Sequence, residues 1–93
     1  MNGAPQPRKR IKYSLKFLKQ LRHLPKRIIK QAGEKEALFR ENPFHPSLDT
    51  HKLHGQDKDM WSFWVNRSYR IKFVFLADGE ALFLEIGTHR IYK

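Results

Sequence analysis

Apolar residues recur along this chain in two rhythms, and the change between them divides it into a helical half and a stranded half. Leu15, Leu18 and Leu21, interleaved with Phe17, Leu21 and Leu24, keep three- and four-residue spacings, with Lys16, Lys19, Gln20 and Arg22 between them. That period turns one side of a helix toward a core and makes the Leu15/Leu18/Leu21 stripe a core element. Ser14 is placed to cap it. His23-Leu24-Pro25 interrupts the pattern, and proline suits the first turn of a second helix. The inner side of that helix is Ile28, Ile29, Ala32, Leu38 and Phe39. Gly33 costs it about 1 kcal/mol relative to alanine, so a bend or early end is expected there. Asn42-Pro43 stops it.

From Trp61 onward the rhythm is two. "WSFWV" reads as a strand and Asn66-Arg67-Ser68 as a tight connection. Tyr69, Ile71, Phe73 and Phe75 then point one way, Arg70 and Lys72 the other. Asp78-Gly79 is a hairpin signal, and Ala81 to Ile86 returns antiparallel. Short strands are also expected at Ile11 to Tyr13 and His51 to Leu53, the latter after a loop with two prolines. The fold class is α+β: an N-terminal strand and two-helix hairpin packed on an antiparallel β-sheet of about four strands. Two short helices cover only one sheet face. Arg70, Lys72 and Lys52 are therefore expected on or near an open, basic face. Trp61, Phe63, Phe73, Phe75, Phe83 and Ile86 are expected in the core or in strand-pair packing.

Residues 1–10, with glycine, prolines and Pro-Arg-Lys-Arg, read as a flexible basic arm, and residues 11–93 as one domain. No cysteine occurs, which removes disulfides and thiolate chemistry and fits a reducing cytoplasm. The longest apolar run, Phe73 to Ala77, is five residues, far short of a membrane span. Charge changes the picture most. Nineteen Lys and Arg face nine Asp and Glu for a net +10, and ten of those basic residues precede the first acid, Glu34. A field of that sign captures polyanions. Nucleic acid is the leading partner class, an acidic protein the second and an anionic membrane surface the third.

Histidine is the side chain that gives and takes protons near neutrality, and five occur, at 23, 45, 51, 54 and 89. On a strand, the spacing of His51 and His54 sends the rings to opposite faces, and no cysteine completes a ligand set, so neither metal nor cofactor is called for. His51 and His89 instead lie beside strands bordering the open face. If the last strand pairs with Tyr69–Ala77, an antiparallel hairpin makes Arg70 and His89 neighbours. A base, an acid and a cation around one phosphate suit RNA cleavage by its own 2′-hydroxyl. Arginine's planar fork suits the phosphate better than lysine does.

"LKFLKQLRHLPKRI", "ENPFHPSLDTHKLHG", "WSFWVNRSYRIKFVF" and "LFLEIGTHRIYK" occur in this order, at spacings that resemble the RelE/ParE superfamily of bacterial type II toxin–antitoxin toxins. The resemblance runs from about Ile11 to Lys93. It implies a toxin that cuts ribosome-bound mRNA and is held inactive by a cognate antitoxin, touching DNA only through that antitoxin. In the YoeB- and YafQ-like branch it implies His51 as base, Arg70 as phosphate clamp and His89 as general acid. Tyr92 matches a terminal aromatic that stacks on an mRNA base. Lys52, His54, Arg67 and Lys72 complete the implied RNA contacts. The chain departs from YoeB-like toxins at Phe63-Trp64, where they carry a second arginine. A ParE-like gyrase inhibitor and a non-catalytic RNA- or protein-binding relic of the same fold are the alternatives.

Overall fold

Ser14 joins the two halves of the fold. Its Oγ accepts the Phe17 amide at 2.9 Å, capping helix α1 (Leu15–Arg22), and donates to the Leu84 carbonyl of the last strand at 2.8 Å. In this computed structural model, residues 10–55 and 59–92 are described, the last by its backbone. Most of the basic arm, and Asp57 and Lys58 of the polar turn that the sequence suggests at Asp57 to Met60, fall outside the described residues. Helix α1 closes on His23, whose backbone amide reaches the Gln20 and Leu21 carbonyls and whose Nδ1 donates to the Lys19 carbonyl at 2.8 Å. Helix α2 (Lys26–Glu41) follows Pro25 and ends where the Asn42 amide reaches the Leu38 carbonyl at 2.8 Å. The bend or early end expected at Gly33 does not occur: α2 runs through it to Glu41.

Strands β1 (Ile11–Tyr13), β2 (His51–Lys52), β3 (Trp61–Trp64), β4 (Arg70–Phe75) and β5 (Ala81–Gly87) form one sheet in the order β1-β5-β4-β3-β2. The four later strands are antiparallel as expected, and the N-terminal strand adds a fifth, parallel to β5. The Asp78-Gly79 hairpin is a short 3-10 turn with both residues at positive φ, 62° and 75°.

The register of β5 shifts between Lys72↔Glu85 and Phe73↔Phe83, leaving Leu84 as an extra residue. This bulge reverses the alternation. Phe83 and Ile86 therefore both face the helices, while Glu85 and Gly87 face away. Strand β1 pairs only as far as Phe83, and α1 satisfies the β5 edge beyond it, through Ser14 on Leu84 and the Ile86 amide on Gln20 Oε1 at 2.9 Å.

Phe39 of α2 centres the core, with its ring 5.1, 4.9 and 5.3 Å from those of Phe63, Phe73 and Phe83. Phe17, Leu48, Val65, Ile71 and Ile86 complete it, and Trp61 and Phe75 pack half-buried at its edge. The leucine stripe of α1 is corrected. Phe17 turns inward, with Leu21 and Leu24 packed beside the core. Leu15, at the first helical position, is 77% exposed and Leu18 is 41% exposed.

Candidate active site

Cross-strand register defines two rows on the sheet face opposite the helices. One is Trp64–Arg70–Gly87; the next is His51–Ser62–Lys72–Glu85. Arg70 is only 4% exposed. Its Nη1 donates to the Asn66 carbonyl at 2.7 Å and the Tyr69 carbonyl at 3.2 Å. Its guanidinium carbon lies 4.4 Å from the Trp64 ring centroid. The turn that supplies those carbonyls is itself fixed: Asn66 Oδ1 accepts the Ser68 and Tyr69 amides at 2.8 Å, and Nδ2 donates to Gln31 of α2 at 2.8 Å. Arg67 stands exposed at its tip.

Gly87 pairs directly with Arg70, and the chain then enters a terminal 3-10 turn, His89–Tyr92, that packs on both β4 and β5. His89 is exposed two residues past Arg70's partner. The expected neighbourhood of His89 and Arg70 thus corresponds to a shared end of the sheet. His51 is exposed on edge strand β2, two strands and one residue pair from Arg70, a backbone separation of about 12 Å. Its Nδ1 lies 2.8 Å from the Asp49 carbonyl, an atom that only accepts, so Nδ1 is the donor and, in the neutral ring, Nε2 is the nitrogen with the lone pair. Asp49 adopts a left-handed conformation, φ 48°, after the 3-10 turn Pro46–Leu48. His45 Nδ1 caps that turn by accepting the Ser47 amide at 3.1 Å.

The open basic face needs correction in detail. Lys72 is 6% exposed; Glu85 and the Ile91 carbonyl hold its Nζ beneath the terminal turn. Lys52 pairs with Trp61, whose row continues to Phe73, so it lies at the exposed edge of the helix-covered face. His54 is exposed in the loop after β2. Tyr92 ends the terminal turn by its backbone, and the stacking expected of its side chain lies outside the described residues. Among the described residues no three His, Cys, Asp or Glu side chains gather as a metal-ligand set, and no helix is long and apolar enough to cross a membrane.

Sequence reasoning gives Glu85 and Ile91 no part in the site, and weighs Trp64 as a stacking platform but favours the half-buried packing it has. Trp64 was legible, because a tight connection at Asn66–Ser68 forces residue 64 opposite residue 70. Glu85 was hidden by the bulge, since unbroken alternation from Phe83 sends it toward the helices.

No family model matches this chain, and no curated protein matches it. Solved structures do. A YoeB/ParE toxin from Agrobacterium tumefaciens superposes with a TM-score of 0.74 at 13% identity, covering 86% of this chain and 98% of that one. YafQ from E. coli gives 0.73 at 22%, covering 89% and 96%. An archaeal RelE–RelB complex from Pyrococcus horikoshii gives 0.71 at 21%, covering 86% and 93%. The two helices and the five-stranded sheet of this chain therefore have the fold of these three solved structures.

Proposed function

We propose that this chain is the toxin of a type II toxin–antitoxin system and cuts ribosome-bound mRNA. One observation carries the reading: the sheet's buried arginine, Arg70, is in register with Gly87, and His89 follows at the same end of the sheet. His51 Nε2 takes the proton from the ribose 2′-hydroxyl. The 2′ oxygen attacks the adjacent phosphorus, and the bond to the 5′ oxygen breaks. His89 protonates that leaving oxygen, giving a 2′,3′-cyclic phosphate and a 5′-hydroxyl. Arg70 stabilises the charge that builds on the phosphate oxygens. Each acid–base role contributes roughly 10²–10⁴-fold in rate.

Lys52, His54, Arg67 and Tyr92 are the candidate contacts to the mRNA strand. Lys19, Arg22, Lys26, Arg27 and Lys30 stand exposed on the helices and face ribosomal RNA in this reading. The cognate antitoxin has its own support. An apolar groove of about 200 Å³ opens between β1 and the helices, lined by Tyr13, Phe17, Leu18, Leu21, Ile29 and Ala32, with exposed Leu15 close in sequence. Its apolar lining and the net +10 charge suit an acidic, amphipathic segment.

One observation favours a second reading. Arg70 is already held by two carbonyls and a ring, as a purely structural arginine would be in a gyrase inhibitor or a non-catalytic relic of the fold. Growth separates the two. Expression of wild type arrests growth, and His89→Ala, on the exposed turn, relieves the arrest if the chain cuts mRNA. Arrest that persists in His89→Ala and His51→Ala favours the second reading.

A further inference from the structure

A lysine as deeply buried as Lys72 needs partners, because an unpaired buried ammonium is costly. Its Nζ lies 3.3 Å from Glu85 Oε2, on its direct cross-strand neighbour, and donates to the Ile91 carbonyl at 3.1 Å. The other Glu85 oxygen is 3.2 Å from Lys16 Nζ of α1. Ile91 is itself 7% exposed. A Cβ at Gly87 would stand 2.8 Å from Ile91 Cγ2, closer than real contacts allow, so glycine is what lets the turn lie against β5. The Ile91 amide closes the turn onto the Thr88 carbonyl at 3.0 Å. His89 therefore sits between two attachments, Gly87 before it and Ile91 after it.

We propose that Lys72, oriented by Glu85, is a positioning residue that anchors the terminal turn and so fixes the His89 imidazole at the Arg70 end of the sheet. Its ammonium holds protein, not RNA: a phosphate would have to displace a carboxylate and a carbonyl. The catalytic consequence rests on the nuclease reading above; the anchoring itself does not.

Two measurements on the same purified variants test this. Backbone ¹⁵N relaxation at Thr88, His89, Arg90 and Ile91 reads the anchoring, and single-turnover cleavage on mRNA-programmed ribosomes reads its consequence. Lys72→Met is expected to make these amides mobile on the picosecond–nanosecond scale while β4 and β5 keep native shifts. It should slow cleavage about 10- to 100-fold with ribosome affinity and its salt dependence unchanged. Gly87→Ala should loosen the same amides with Lys72 intact. If Lys72→Met does not fold, Glu85→Gln, which keeps the side-chain volume, is expected to loosen the turn in its place. A turn as rigid in these variants as in wild type overturns the proposal. So does weaker ribosome binding by Lys72→Met with a salt slope reduced by about one, the mark of a lost phosphate contact. A wild type that leaves mRNA uncut defeats the nuclease reading alone, and relaxation still decides the anchoring.

Discussion

Arg70 and Trp64 are direct cross-strand partners, and the guanidinium carbon of one lies 4.4 Å from the ring centre of the other. The ring face and the carbonyls of Asn66 and Tyr69 hold the guanidinium in place before any substrate arrives. A lysine has neither the plane to stack nor the fork to donate to carbonyl and phosphate together. Arg70→Lys is therefore expected to lower the single-turnover cleavage rate about 10²-fold or more. Cleavage within a few-fold of wild type would place the charge-stabilising group elsewhere.

The Asp49 carbonyl fixes the His51 tautomer, leaving Nε2 to accept a proton. His89 is exposed on the terminal turn. His51→Ala and His89→Ala are each expected to slow cleavage by roughly 10²–10⁴-fold. In the proposed mechanism they serve opposite proton transfers, so each variant should flatten a different limb of the pH–rate profile. If both variants flatten the same limb, the division into base and acid is wrong.

Much of this fold was legible because its helices and strands follow simple periods. Ser14, Pro25 and Asn42 mark helix ends that the structure keeps, and Ile71 and Phe73 alternate with Arg70 and Lys72 between the two sheet faces. What was not legible came from tertiary competition. The bulge at Leu84 reverses the faces of Glu85 and Ile86, and no local signal announces it. Leu15 keeps helical spacing yet faces solvent, because Phe17 fills the space beneath α1. Arg70 and Lys72 were read as an open basic surface. A folded-back chain end and a tryptophan cover them instead, and coverage by distant residues leaves no periodic trace.

Gly33 lies exposed within α2, and a Cβ there meets nothing within 4 Å. Glycine in a helix interior loses more backbone entropy on folding than alanine does. Gly33→Ala is expected to raise unfolding free energy by about 1 kcal/mol in urea titration. A loss of stability would show that the groove beside it tolerates no added methyl.

Tyr13 donates its hydroxyl to Glu36 and receives Arg40 Nη2 at 3.4 Å. Burial raises its pKa above the ordinary 10.0, the hydrogen bond and charge of Glu36 raise it further, and Arg40 opposes them. The folded pKa exceeds the unfolded one. The stabilisation is therefore complete below the unfolded value and is lost as pH rises through the folded one. Wild-type stability should fall more steeply than that of Tyr13→Phe above pH 10. Parallel curves would show that the phenol proton is not linked to folding.

The most direct measurement adds purified protein to ribosomes translating a defined mRNA and maps the ends of the fragments. Cuts within the decoding site, leaving 2′,3′-cyclic phosphate and 5′-hydroxyl ends and lost in His89→Ala, are the expected result. Intact mRNA, or cuts that persist without His89, would contradict a nuclease built on Arg70 and the chain's terminal turn.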